Sequence, residues 1–451
     1  MVSDAREWIL DERQASIFCS DEKGAGIKCE ADSVAGSVSQ RACVYCGARV
    51  VLNPITDAFH IVHGPIGCAS YTWDIRGSLS SGPETYRNSF STDLRENDVI
   101  FGGEKKLAGA IDEVVEKYGA RYIFVYATCI VGVIGDDIES VCRAAERKHS
   151  VRVIPVKSSG FAGNKSMGYK AACHALIQLM ETPGRFERVQ KKKSVNILGD
   201  FNLAGEMWII RGYLKEIGVG ISAGITGDSR CEDIIGATGA TLNIVQCAGS
   251  MTYLAREMEE KYGIPYLKVS FFGIEDTVNS LMRVAGALGD GDVLEKAKQL
   301  IMRLGMKAQA ELGPYRKRLG GKKAAIYVGG GFKAISLIKQ FEDLGIETVM
   351  VGTQTGRKDE YEIIKSISKP GTVILDDTNP SELVRFISEK GADILVGGVK
   401  ERPLAYKLGV AFCDHNHERK HPLCGFEGAV IFAREIDLTI NSPVWELLKE
   451  A

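Results

Sequence analysis

Short apolar strands, each followed by a glycine-rich or polar turn, an amphipathic helix and a second strand, recur three times along this sequence. No other pattern in it narrows the fold as far. In the first, RYIFVYATC (121–129) leads into IGDDIESVCRAAERKHS and then VRVIPV. The second runs SVNILGDFN, LAGEMWIIRGYLKEIG and VGISAGITG, and continues through TLNIVQC, MTYLAREMEEKYG and IPYLKVS. The third runs KAAIYVGGG, FKAISLIKQFEDLG and IETVMVG, then TVILDD, PSELVRFISEKG and ADILVGG. Strands that are apolar throughout and alternate with helices belong to parallel sheets covered on both faces. The expected fold class is α/β: three similar Rossmann-like domains, each a mainly parallel sheet flanked by helices.

At 451 residues the chain exceeds what a single core usually serves. Composition shifts mark the joins, at ETPGRFERVQKKKS (181–194) and along the charged helical stretch from about 291 to 323. The expected division is an N-terminal extension (1–42) and three α/β domains, 43–190, 191–320 and 321–451 with the C-terminal tail.

Against 58 Asp and Glu stand 56 Lys and Arg, so no basic footprint for nucleic acid or an anionic membrane is present. MVSDAREWILDERQASIF lacks the basic-then-apolar order of a signal peptide, and no run approaches the ~18 apolar residues of a membrane span. A cytoplasmic protein is expected, with its 12 cysteines reduced and their clusters pointing to metal or redox chemistry.

Open parallel sheets bind ligands outside the carboxyl ends of their strands. Cys43 is expected in a loop before VVLNP, Cys68 ends HGPIGC, and Cys129 closes the strand RYIFVYATC. Each taken alone is a buried packing thiol as readily as a ligand. Zinc is the weaker reading, because Cys43 and Cys46 make a Cys-x-x-Cys with no second pair. An iron-sulfur cluster accepts widely separated thiolates but needs four. Cys247, after TLNIV and ahead of a helix expected near Thr252, is by position either a ligand or a packing residue.

The runs RACVYCGARVVLNPITDAFHIVHGPIGC (41–68), WDIRG, TCIVGVIGDDIE, NIVQCAGSMTYLAREMEEKYGIPY and GFEGAVIFAREIDLTINSPVW resemble the nitrogenase component 1 family, in order and over nearly the whole chain. The resemblance implies that Cys43, Cys68 and Cys129 hold an iron-sulfur cluster at the interface of two homologous subunits. If that is a 4Fe-4S cluster, the partner chain supplies its fourth ligand. It also implies that Cys247 ligates a terminal iron of a large cofactor, in a cavity between the three domains.

Departures from the family's catalytic α subunit fall at the cofactor. Cys424 replaces the His that precedes the Gly-Phe-Asp-Gly motif, here GFEG. In GFAGNKSMGYK, Lys165 and Tyr169 replace a Gln and a His. Lys165 is a fixed cation and Tyr169 a very weak acid, so neither delivers protons near neutrality as a His does. Lys333 stands in place of an Arg, Lys400 matches a Lys that contacts the cofactor's organic acid, and Arg76 has a family match near the cofactor. His415, His417 and His421, just upstream of Cys424, either reach the same opening or are solvated loop residues, the latter being expected.

These departures resemble the scaffold branch of the family, on which the iron-molybdenum cofactor is built. The implied cargo is an iron-sulfur precursor of that cofactor, with molybdenum and homocitrate bound transiently. The implied partners are the homologous N subunit of the scaffold in a heterotetramer, the nitrogenase iron protein, and proteins that donate and receive the cofactor. The alternative is a catalytic α subunit of a molybdenum or other nitrogenase. A tetrapyrrole-binding reductase subunit would have no need of Cys247. VGGGFKA lacks the spacing of a dinucleotide fingerprint, and no P-loop is present.

Overall fold

The computed structural model describes residues 11–22, 27–29, 42–73, 79, 88–182, 192–416 and 419–445. The first strand, β1 (Ile17–Cys19), joins a sheet that the last third of the chain completes.

The first full sheet takes β2 (Phe59–His63), β3 (Ser89–Ser91), β4 (Tyr122–Ala127) and β5 (Arg152–Lys157), in the order β3-β2-β4-β5 and all parallel. Every residue of β4 is buried, which is why YIFVYA carries no polar alternation. The helix Glu104–Tyr118 covers one face with Leu107, Ile111 and Val114, spaced along one stripe, and stops at Gly119, whose φ of 64° is left-handed.

The second sheet holds β6 (Ser194–Asp200), β7 (Gly220–Thr226), β8 (Leu242–Val245) and β9 (Tyr266–Lys268), parallel in the order β7-β6-β8-β9. The third holds β10 (Lys323–Val328), β11 (Glu347–Thr353), β12 (Val373–Asp376), β13 (Ile394–Gly397) and β14 (Ala411–Asp414), in the order β1-β12-β11-β10-β13-β14. Only β1 is antiparallel, pairing Ile17 with Leu375 and Cys19 with Val373. Arg13 fastens this segment, its guanidinium donating to the Asp376 carbonyl at 2.7 Å and to the Glu382 carboxylate at 3.1 Å.

Three mainly parallel sheets flanked by helices are thus present. The chain divides into two compact units: Ala42–Lys268 with Ala287–Gly289 carries the first two sheets, and the rest carries the third. Several elements differ from expectation. Cys43 caps a helix, Val44–Leu52, where a loop was expected, and the helix after Cys247 starts at Ala248, ahead of Thr252. The strands β2, β3 and β14 have no counterpart in the repeating pattern, and the extension contributes β1.

Candidate metal centres

A parallel sheet opens a crevice where its strand order reverses. In the first sheet that point lies between β2 and β4. Cys68 follows β2 in the helix Ile66–Trp73, and Cys129 opens the helix Cys129–Ile134 just after β4. Cys43 reaches them through a backbone bridge to Asn164. The Gly160 N–H donates to Cys129 Sγ at 3.2 Å, and a Cβ on Gly160 would stand 2.8 Å from that sulfur and 3.7 Å from Cys43 Cβ. Only glycine lets this loop close over the two cysteines.

Burial, and then the neighbouring Cys129 and Cys43 sulfurs, push the Cys68 thiol up. The three sulfurs therefore share one field. Among the described residues, no three His, Cys, Asp or Glu side chains converge on a point suited to one metal ion. Cys43 is exposed, and Cys68 and Cys129 are half-buried. Around them stand Ile66, Val133, Phe101 and Phe161, the last two 84% and 75% exposed.

His63 fixes both loops. Its Nδ1 pairs with Thr92 Oγ1 and its Nε2 with Asp136 Oδ2, each at 3.0 Å, while its carbonyl accepts the Thr128 hydroxyl at 2.9 Å. Burial lowers its pKa, only partly offset by Asp136, so the ring is neutral near pH 7.

In the second sheet the reversal lies between β6 and β8, and Cys247 follows β8 as the cap of the helix Ala248–Tyr262. Gly199, at φ 83°, lies so close that a Cβ there would be 2.8 Å from Cys247 Cβ and 2.9 Å from its amide nitrogen. Tyr169 belongs to this group: burial raises its pKa, Lys165 opposes that, and Cys247 adds to it. Lys165 is buried, with Nζ 5.9 Å from the centre of the Tyr169 ring. Burial works against its charge, but Tyr169, Cys46 and Tyr71 outweigh burial and hold the ammonium protonated.

The elements bearing Cys43 and Lys165 are welded. Where the helices Val44–Leu52 and Lys165–Met180 cross, a Cβ on Gly168 would lie 2.1 Å from the Val44 carbonyl oxygen and 2.7 Å from Gly47 Cα. Sequence reasoning overlooked Gln246, which is buried beside Cys247 with both ends of its amide unpartnered among the described residues. A polar residue just ahead of a candidate ligand was the available signal.

In the third sheet the reversal lies between β10 and β13. Lys333 lies in the first turn of the helix Gly331–Asp343 that follows β10, and Lys400 in the turn after β13. Lys333 is half-buried and donates to the His415 carbonyl at 2.9 Å, whereas Lys400 is exposed. Beside it Glu401 is buried, which raises its pKa to about 7. Cys424 is fully buried, caps the helix Gly425–Ile440, and is bridged through its backbone to Phe272.

His415 corrects an expectation: it is fully buried, between the edges of Phe272 and Phe432 at 5.2 and 5.6 Å. Burial, then Lys333 and Arg419, hold it neutral. His421 is exposed as expected, and Arg76 and His417 lie outside the described residues. The structure thus gathers Cys43, Cys68 and Cys129, then Lys165, Tyr169 and Cys247, in one unit. Lys333, His415 and Cys424 gather around Phe272 in the other.

Among the described residues no helix is long and apolar enough to cross a membrane. A protein named nitrogenase iron-molybdenum cofactor biosynthesis protein NifE, from Clostridium pasteurianum, is 66% identical over 443 residues, 97% of this chain and 96% of that protein. A protein of the same name from Methanosarcina barkeri is 53% identical over 98% of this chain and 97% of its own length. The solved structure described as nitrogenase Cp1 at pH 5 superposes with a TM-score of 0.89 at 29% identity, covering 98% of both chains. The sequence profile of the nitrogenase component 1 type oxidoreductases matches residues 43–441, and the chain belongs to that family.

Proposed function

We propose that this chain is a scaffold subunit for biosynthesis of the nitrogenase iron-molybdenum cofactor. On this reading it holds an iron-sulfur precursor while molybdenum and homocitrate are added, then yields the product to the catalytic component. The observation that carries the reading is near-full-length identity of 66% to a protein bearing that name. The site agrees with it. Cys247 offers a half-buried thiol packed against Gly199, and the Lys165 ammonium stands against Tyr169, which neighbours that thiol. Neither Lys165 nor Tyr169 exchanges a proton readily near pH 7, which suits retention of an anionic cargo more than its reduction chemistry.

One firm sulfur ligand permits release, whereas firm ligands at both ends would trap the cargo. Cys424, where the catalytic subunit carries a His, is fully buried at the start of the helix Gly425–Ile440. Lys333, Lys400 and Arg76 are assigned to the organic acid and the cluster's charge.

Cys43, Cys68 and Cys129 are assigned to a 4Fe-4S cluster shared with a homologous partner. The donor set fits: three thiols share one field, and a glycine N–H reaches Cys129 Sγ without a side chain in the way. Bound there, the cluster would supply one-electron transfer. The exposed Ile66, Phe101, Val133 and Phe161 around it support a covering subunit, the N subunit of a heterotetramer. The nitrogenase iron protein and proteins that donate and receive the cofactor complete the assignment, in the cytoplasm.

The test is substrate reduction by the anaerobically purified complex with iron protein, ATP and reductant, alone and then with cofactor-free catalytic component plus molybdate and homocitrate. Activity only after that addition is expected. Robust activity from the complex alone would instead favour a catalytic α subunit. Cys247→Ala should lose the precursor iron, and its full retention would remove Cys247 from the site.

A further inference from the structure

Cys46 has no place in either centre, yet it is the residue that most changes meaning once the fold is known. Cys43 caps the helix Val44–Leu52 and Cys46 lies in its first turn, which the Gly47 N–H closes on the Cys43 carbonyl at 3.1 Å. The Cys-x-x-Cys pair therefore begins a helix, with its first thiol exposed and its second buried. Side chains three apart on a helix have Cβ atoms ~5–6 Å apart. A disulfide needs ~3.5–4.5 Å, a small tightening for an end residue with extended backbone (φ −74°, ψ 172°).

The surroundings of Cys46 favour reaction. Tyr71 and the Lys165 ammonium both face it, at the amino-terminal end of the helix. The crossing of Gly47 on Gly168 holds this turn in place, and Cys129 Sγ is engaged by the Gly160 amide.

We propose that Cys43 and Cys46 form a reversible disulfide in the cluster-free chain, a thiol–disulfide switch that withdraws Cys43 from its metal site. The withdrawal rests on the assignment of Cys43 as a ligand. The disulfide itself does not. The oxidant is a small-molecule disulfide. The exposed Cys43 thiolate attacks it, forming a mixed disulfide and expelling one thiolate. Cys46 then attacks the Cys43 sulfur, forming the internal bond and expelling the second thiolate. The two cysteines lose two electrons and release two protons, and the oxidant is reduced to two thiols. A dithiol reverses the sequence and restores Cys43, so cluster insertion waits on the reduced pair.

The full-length chain, purified apart from any partner subunit and freed of iron by anaerobic chelation, is exposed to oxidised glutathione, quenched in acid, alkylated and digested with trypsin. Arg41 and Arg49 bracket a peptide, 42–49, that contains these two cysteines alone. It should emerge unalkylated and lighter by two hydrogens, while Cys46→Ser should trap glutathione on Cys43. Oxidised wild type should fail to take up iron and sulfide until treated with dithiothreitol, and untreated Cys46→Ser should take them up normally. A stable glutathione adduct on wild-type Cys43, or a link from Cys43 to Cys68 or Cys129, would overturn the switch. So would loss of cluster uptake by untreated Cys46→Ser. The mapping uses no metal, so its failure leaves the scaffold assignment standing.

Discussion

Gly168→Ala adds one methyl group where two helices meet backbone to backbone. The new Cβ would fall 2.1 Å from the Val44 carbonyl oxygen, 2.7 Å from the Ala48 amide nitrogen and 2.7 Å from Gly47 Cα. Carbon contacts are comfortable near ~3.5–4.0 Å, so the helices must part by more than about 1 Å. No flexible side chain is available to yield, which places the cost near the top of the ~1–3 kcal/mol range for overpacking. Replacing a helical glycine returns ~0.5–1 kcal/mol. The net loss is about 2 kcal/mol, or roughly 4–8 °C in unfolding midpoint for a cooperative unit of this size. Gly109→Ala is the control: it lies in the helix Glu104–Tyr118 with nothing within 4 Å of an added Cβ, and it should stabilise slightly. Thermal unfolding followed by far-UV circular dichroism on the iron-free complex reads both. Gly168→Ala melting with Gly109→Ala would mean the crossing is not tight. Because the Cys43–Asn164 bridge hangs on the same helices, Gly168→Ala should also weaken retention of iron at the interface centre.

Gly199→Ala, strained at φ 83° and crowding Cys247, should lower precursor iron in anaerobic metal analysis while the interface-cluster EPR signal persists. Gly160→Ala should do the reverse, displacing Cys129 Sγ and losing the interface signal first. Arg13→Ala strands the buried Glu382 carboxylate and should cost about 3 kcal/mol, seen as an earlier denaturation midpoint of the third sheet. His60, His63 and His415 all have pKa values lowered by burial from 6.5, so their stabilisation is present above that pH and lost as pH falls below it. Glu401, raised from 4.5 to about 7, acts in the opposite sense between those values. Glu401→Gln should therefore steepen the acid loss of stability in a pH series of melts, and a shallower loss would show the carboxyl titrates elsewhere.

The strands that read most clearly from sequence, β4, β6 and β10, are buried along nearly all their length, Lys323 at the start of β10 being the one exposed residue, so apolar residues dominate them. β2 was illegible because FHIVH spends two histidines inside a strand. In the fold His60 is stacked on Phe124 and His63 is bonded to Asp136 and Thr92. The helix Val44–Leu52 was masked by Cys46 and by Gly47, the latter kept because another backbone crosses there. Cys68, Cys129 and Cys247 were legible as positions, since strand ends are readable and ligands gather there. Gly160 and Gly199 were not, because a glycine's role depends on what lies across the gap, and sequence order does not give that. His415 misled for a related reason: a polar run between a strand and a helix suggests a solvated loop, yet Phe272 and Phe432 enclose it.

The strand Ile17–Cys19 has a consequence for how the chain matures during synthesis. Its partner is Val373–Leu375, and the nearby bond from the Thr372 N–H to Ser20 Oγ spans 352 residues. The unit Ala42–Lys268 is almost continuous and can fold as it leaves the ribosome, whereas the other unit is drawn from both ends of the chain. At ~5–20 residues per second, the amino-terminal segment is exposed for roughly 20–70 s before its place in the sheet exists. Throughout that interval an unpaired strand edge has to be kept from pairing with another nascent chain, so this strand is placed only after residues about 350 positions later have been made.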